Sequence, residues 1–312
     1  MGREAAHVLA PEARADLGSG RVRPAPFEYF APRALDEALE ILARHGPDAK
    51  PLAGGQSLVP MMNMRLARPA VLVDLNRVAA LAAVRAEPGS LRLGALVRQR
   101  ALERDGRIAA AAPLLAEAAP LIGHLQTRAR GTVGGSLAHA DPAAELPACA
   151  LALNAVFHLR SARAARTCRA ADFFRGLLAT ALESDELLVE IEIPALAMER
   201  TGQAIAEVAR RHGDFALVGA CAVLGLDAAG ICRHAELVLF GAGDVPHVSR
   251  APAALVGERP APARLAEAGR AAAAELDPRA DLHATVEYRR RVAAGLGAQA
   301  LTRAATRAGV AR

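Results

Sequence analysis

Hydrophobic residues recur along this chain with two periods, and the switches between them mark out its elements. From Pro32 to His45 apolar residues fall at Leu35, Ala38, Leu39 and Leu42, the spacing of one helix face, and Gly46-Pro47 stops the run. Lys50 to Ala53 predicts a short strand. Leu58 to Leu66 predicts a helix with an early proline at Pro60 and a stop at Pro69, and Val71 to Leu75 a second strand. Ser90 to Leu96 alternates around Leu91 and Leu93, as a half-buried strand does. Ala101 to Ala118 reads as a helix broken near Pro113. Asp141-Pro142 suits an N-cap followed by a first helical proline, in a helix reaching Leu153 that Pro147 could delay. Ala155 to Arg160 and Leu187 to Ile193 read as strands, the latter closed by Pro194.

Beyond Pro194 the character changes. Ala216 to Leu226 and Ile231 to Gly241 are apolar runs around Asp227-Ala228-Ala229-Gly230, which predicts a hairpin. Helical patterns follow over about 262–276 and 285–307. Strands and then helices argue for an α+β C-terminal domain behind a mixed α/β region.

With 312 residues the chain can build two or three cores. Its hydrophobic fraction is 53% but only 3% is aromatic, so those cores must be made of Leu, Val, Ile and Ala. No apolar run reaches the ~18–20 residues of a membrane helix. Met1 to Gly20 carries charges throughout and has no signal-peptide core, so 1–24 is expected to be a flexible tail on a cytoplasmic protein. The net charge of +5 comes from scattered arginines without a basic stripe or interleaved aromatics, which argues against nucleic acid. Four cysteines, Cys149, Cys168, Cys221 and Cys232, lie far apart with no C-x-x-C pair, so the chain is expected to ligate no iron–sulfur cluster.

The chemistry concentrates in two glycine-paired loops, Ala53-Gly54-Gly55-Gln56-Ser57 and Thr132-Val133-Gly134-Gly135-Ser136, each running into a helical stretch that begins at Leu58 or after the second pair. Backbone without Cβ atoms can come close to a phosphate and aim N–H groups at it, and a helix N-terminus adds a favourable dipole. Two such loops suggest one diphosphate gripped from both sides. Neither is a Walker A loop or a G-x-G-x-x-G fingerprint. Lys50, the only lysine, either reaches a phosphate or flavin oxygen or faces solvent at a strand start. Asp141 and Glu145 could accept bonds from ribose or ribityl hydroxyls, although Asp141 also suits a helix cap. His139, Asp141 and Glu145 lack a recognisable metal geometry. No G-x-S-x-G elbow supports a serine nucleophile, and no residue is assigned as catalytic. Arg210-Arg211-His212-Gly213-Asp214 is either a turn or a loop facing a ligand or subunit.

Taken together, the segments from about Phe27 to Arg307 resemble the FAD-binding medium subunit of the molybdenum hydroxylases, the carbon monoxide dehydrogenase and xanthine dehydrogenase group. The resemblance rests on 51–62 (PLAGGQSLVPMM), 130–136 (RGTVGGS), Asp141-Pro142, 186–194 (ELLVEIEIP), 213–216 (GDFA) and 287–290 (EYRR). It implies an α+β architecture of the vanillyl-alcohol-oxidase (PCMH) type. An FAD-binding domain over 25–195, with subdomains of about 25–80 and 81–195, would precede a C-terminal domain of antiparallel strands and helices over 196–312.

The resemblance also implies FAD contacts from Lys50, Leu52, Ala53, Gly54, Gly55, Gln56, Ser57 and Leu58, and from Thr132, Val133, Gly134, Gly135 and Ser136. Further contacts would come from Leu188 and Asp214, and from Glu145, where many members carry an aspartate. In two places the chain departs from the family: Ser136 replaces a common asparagine, and Ala206-Glu207-Val208 lacks a lysine found in several members. The implied function is an electron-transfer subunit in a dimer of heterotrimers. A large subunit would carry the molybdenum cofactor and a small one the [2Fe-2S] clusters. A stand-alone flavin oxidase of the same fold and an orphan FAD-binding module are the competing readings.

Overall fold

The computed structural model describes residues 22–310, so most of the expected tail at 1–24 lies outside the described residues. The chain enters a small parallel sheet through β1 (Glu28–Phe30), β2 (Ala49–Leu52) and β3 (Val71–Asp74), in the order β1-β3-β2. Helix Leu35–His45 makes the first crossover. It buries Ala38, Leu39, Ile41 and Leu42, carries Asp36 and Glu37 in its first turn and Arg44 and His45 in its last, and so matches its own dipole. Gly46 ends it at φ 53°. Its apolar face closes a core with Val71, Val73 and Leu75.

A five-stranded antiparallel sheet follows. Its members are β4 (Val84–Glu87), β5 (Ser90–Gly94), β6 (Val156–Arg160), β7 (Ala165–Arg169) and, after the short hairpin β8 (Phe174–Gly176)–β9 (Ala179–Thr180), β10 (Leu187–Pro194). The order is β4-β5-β10-β6-β7, with β10 at the centre. Its alternating residues Leu91, Leu93, Phe157, Leu159, Ile191 and Ile193 pack on the helices between β5 and β6.

The C-terminal sheet comprises β11 (Arg200–Ala209), β12 (Ala216–Leu226), β13 (Cys232–Phe240) and β14 (His247–Val248) in sequence order. Ile205, Cys221, Val223 and Val238 join the core of the preceding domain. On the opposite face Ala204, Ala220, Ala222 and Leu224 pack on helices Pro262–Ala274 and Val286–Arg307. Burial on both faces explains why β12 reads as a continuous apolar run. Small residues let these layers approach closely: a Cβ on Gly202 would lie 1.8 Å from the Ala304 carbonyl oxygen. Gln203 Oε1 accepts a bond from Leu114 N (3.0 Å), and Arg307 pairs with Glu117 at 2.5 Å, tying the two halves together.

Several sequence expectations need correction. The helix expected over 101–118 is three short pieces, Gln99–Leu102, Gly106–Ala111 and Pro113–Ala118, because the Asp105 carboxylate caps a new start by accepting from Arg107 N. The helix from Leu58 ends at Asn63, six residues before Pro69, and Arg65 turns left-handed at φ 58°. Asp141 caps no long helix: its carboxylate accepts from Ala143 N (2.9 Å) in a turn, and the helix begins at Glu145 with Ala144 at the cap. The sequence pattern predicts none of β1, β4, β7, β8, β9, β11 and β14. Five of these are four residues or fewer, β7 is an edge strand with exposed arginines, and β11 mixes Gly, Gln and Glu among its small residues.

Candidate cofactor-binding site

The first glycine loop leaves β2 beside the end of β3, where Leu52 pairs with Asp74. Gly55 takes φ 71°, which a side chain would resist, and the Gln56 amide folds back to donate to the Gly54 carbonyl at 2.9 Å. Leu58 opens the following helix; Ser57 is its N-cap residue, but the Ser57 hydroxyl makes no capping bond.

The second loop is stitched to the segment after β5. Gln99 N donates to the Gly131 carbonyl, Val133 N to Val97 and Gly134 N to Ala95, each at 2.9 Å. Helix Val133–His139 starts on Thr132, whose hydroxyl oxygen accepts from Gly135 N at 3.0 Å.

The two loops touch. A Cβ on Gly54 would lie 2.5 Å from the Arg130 carbonyl oxygen and 2.7 Å from Gly131 Cα, and one on Gly135 would lie 3.4 Å from the Ala53 methyl. The glycines thus make room for protein. Gly134 lies flat against Ala95, and Gly135 against the Thr132 hydroxyl. At Gly54, Gly134 and Gly135 the missing Cβ atoms serve contacts between protein segments, a role that the sequence expectation of a path cleared for phosphate does not include.

The donors are also divided unequally. In the second loop the N–H groups of Val133, Gly134 and Gly135 are all bonded within the protein. In the first, the N–H groups of Gly54, Gly55, Gln56 and Ser57 have no protein acceptor among the described residues. Four consecutive free amides beside a helix N-terminus suit an anion and would be costly to leave dry. The residues present therefore fit a diphosphate. The first loop would supply main-chain donors, and the second, its own amides already bonded, would supply a rigid wall and the Ser136 hydroxyl, which has no protein partner among the described residues.

The other sequence candidates are spread around this pair. Lys50 is exposed on β2, paired in register with Leu72. Leu188 is 5% exposed and packs in the core beside a bulge in β10. Asp214 lies in the β11–β12 turn and pairs with Arg211 at 3.2 Å. Gly213 in that turn has φ 86° and abuts the His124 ring, so the cluster 210–214 is a turn packed on its neighbour.

Glu145 is 4% exposed. Burial, and then the Glu207 charge, push its carboxyl up to about 8. Burial alone raises Glu207 to about 7, and its Oε2 has no hydrogen-bond partner among the described residues. Cys149, one turn along from Glu145, faces Cys221 with sulfurs 3.8 Å apart.

Sequence reasoning missed Asn76 and Arg98, which connect the two loops. Asn76 Nδ2 donates to the Ala53 carbonyl at 2.8 Å, and Arg98 bonds both Asn76 Oδ1 (2.6 Å) and the Arg130 carbonyl (2.5 Å). Neither residue stands in a recognisable motif; only their positions just after β3 and β5 could have pointed to them.

Comparison with known proteins supplies the identity of this fold. Residues 25–196 match the family described as the FAD binding domain in molybdopterin dehydrogenase, and residues 203–304 the CO dehydrogenase flavoprotein C-terminal domain. The chain is 38% identical over 288 residues to the 6-hydroxypseudooxynicotine dehydrogenase complex subunit alpha of Paenarthrobacter nicotinovorans, covering 92% of this chain and 97% of that one. It is 37% identical to the carbon monoxide dehydrogenase medium chain of Hydrogenophaga pseudoflava, covering 90% and 98%. A solved structure of carbon monoxide dehydrogenase from that organism superposes with a TM-score of 0.88 at 38% identity, over 91% of this chain and 99% of that one. No helix among the described residues is long and apolar enough to cross a membrane. The chain belongs to the family of FAD-binding medium subunits of the molybdenum hydroxylases, an oxidoreductase subunit of the carbon monoxide dehydrogenase type.

Proposed function

We propose that this chain is the electron-transfer subunit of a cytoplasmic heterotrimeric molybdenum hydroxylase, working with a large molybdenum-cofactor subunit and a small [2Fe-2S] subunit in a dimer of heterotrimers. Electrons would arrive from the clusters of the small subunit and leave to an external acceptor. Bound FAD supplies the redox chemistry, joining one-electron delivery to two-electron release. The chain's own residues bind and orient it. Gly54 to Ser57 would donate N–H groups to the diphosphate, with Leu52, Ala53 and Leu58 flanking them. Thr132, Val133, Gly134, Gly135 and Ser136 would form the opposite wall, and Lys50, Glu145, Leu188 and Asp214 would add contacts around it. In this reading 25–195 forms the FAD-binding domain and 196–312 the C-terminal one.

The observation that carries the reading is the contact between the two glycine loops, with four amides on one side of it that have no acceptor among the described residues. The names of the relatives, a medium chain and a complex subunit, support the division of labour. Co-expression with the two neighbouring subunits tests it. A yellow three-subunit complex whose flavin is bleached by the complex's substrate supports the proposal. A yellow chain that oxidises a small molecule unaided, or a colourless chain, contradicts it.

A further inference from the structure

We propose that Arg98 and Asn76 are positioning residues for the cofactor: a guanidinium–amide bridge that fixes the spacing of the two glycine loops and hence the width of the diphosphate cradle. The inference rests on the reading of those loops as the diphosphate site.

The two loops belong to different sheets. Ala53 follows the parallel sheet, whereas Arg130 precedes the helix packed on the antiparallel one. Close contact alone keeps them from moving nearer but does not keep them from parting. The bridge does. From the first side, Ala53 carbonyl accepts from Asn76 Nδ2 at 2.8 Å. From the second, Arg130 carbonyl accepts from Arg98 at 2.5 Å, and the other arm of the same guanidinium reaches Asn76 Oδ1 at 2.6 Å.

The Asn76 end is held in turn. Asp74 Oδ1 accepts from both the Asn76 backbone N–H (2.9 Å) and Nδ2 (2.5 Å), which fixes which way the amide faces. Tyr29 donates to Asp74 Oδ2 at 2.5 Å. The link thus runs from β1 through β3 to the second loop without a gap. Arginine suits the middle position because its planar fork donates in two directions at once, which an ammonium cannot do with one fixed geometry. The second-loop carbonyl at Arg130 is also the atom against which Gly54 packs, so the bridge acts on the point of contact itself.

The test is an FAD titration of the full chain, stripped of cofactor, by quenching of flavin fluorescence. The variants are Arg98→Met, Asn76→Ala and the pair together, with Arg98→Lys as the conservative change. A cavity of about 240 Å³ beside Arg98 and Asn76, bordered also by Val78, Ala82 and Leu96, leaves room for the new side chains. Each single variant is expected to weaken FAD binding roughly ten- to a hundredfold, the scale of a lost charged hydrogen bond. The double variant should be little worse than either single one, since both cut one bridge. Visible circular dichroism of the bound flavin at saturation should change in Arg98→Met and return partway in Arg98→Lys, a signature that general destabilisation would not give.

Unchanged affinity in both single variants, or losses that simply multiply in the double, would overturn the bridge. A variant that fails to fold is replaced in the comparison by Arg98→Lys, for which wild-type affinity and an unaltered flavin spectrum would likewise overturn it. Should the wild-type chain itself bind no FAD, the reading of the site fails, and the bridge as a cofactor device fails with it.

Discussion

Gly54 lies so close to Arg130 that a single added methyl on the glycine would sit 2.5 Å from the arginine's carbonyl oxygen. Neither partner in that contact is a flexible side chain, so the strain has nowhere to relax except by parting the loops. Gly54→Ala is therefore expected to cost about 1–3 kcal/mol, the scale of an overpacked core, and to lower the FAD retained per chain. The flavin-to-protein absorbance ratio after gel filtration, beside a melting curve, checks both.

Thr132 begins the helix behind the second loop by accepting from Gly135 N. Thr132→Val keeps the shape but orphans that N–H, and should cost about 1 kcal/mol. Thr132→Ser should restore most of it. Urea melts of the three proteins give the comparison, and equal midpoints would contradict the capping role.

Glu145 gives a pH dependence of known sign. Its carboxyl titrates near 8 when folded, raised by burial and by Glu207 from an ordinary 4.5. Below about pH 4.5 folded and unfolded chains both hold the proton. Between 4.5 and 8 only the folded chain does, so this group's contribution to stability falls as pH rises through that window. Glu145→Gln cannot ionise and escapes the loss. The melting temperature of the variant minus that of the cofactor-free wild type should grow between pH 5 and pH 8; a constant difference would show that Glu145 ionises freely.

Gly202 and Gly106 form a matched pair for the packing argument. A Cβ on Gly202 would meet the Ala304 carbonyl at 1.8 Å, whereas nothing lies within 4 Å of one on Gly106. Gly202→Ala should separate β11 from the last helix and cost 3 kcal/mol or more, about the upper range of overpacking. Gly106→Ala should be neutral or stabilise by about 0.4–1 kcal/mol. Denaturant midpoints measure both.

Strongly periodic elements were legible in the sequence. Leu35 to His45, the hairpin around Asp227 to Gly230, and the helix capped by Thr285 carry their own stop and start signals. The glycine loops were legible as a pair because of their composition. Their roles were not, because which amides remain free depends on where Ala95 and Val97 lie, some forty residues away. Asn76 and Arg98 were invisible for the same reason: each makes its decisive bond to a residue distant in sequence. Glu207 enters the sequence reading only as part of a stretch without a lysine; its buried, unpartnered Oε2 depends on how β11 packs against the preceding domain.

A crystal structure of the chain with FAD bound would locate the diphosphate against the two glycine loops. Diphosphate oxygens are expected within about 3.2 Å of the backbone nitrogens of Gly54 to Ser57, with the second loop as the facing wall. A diphosphate bound elsewhere, with those four N–H groups open to solvent, would contradict it.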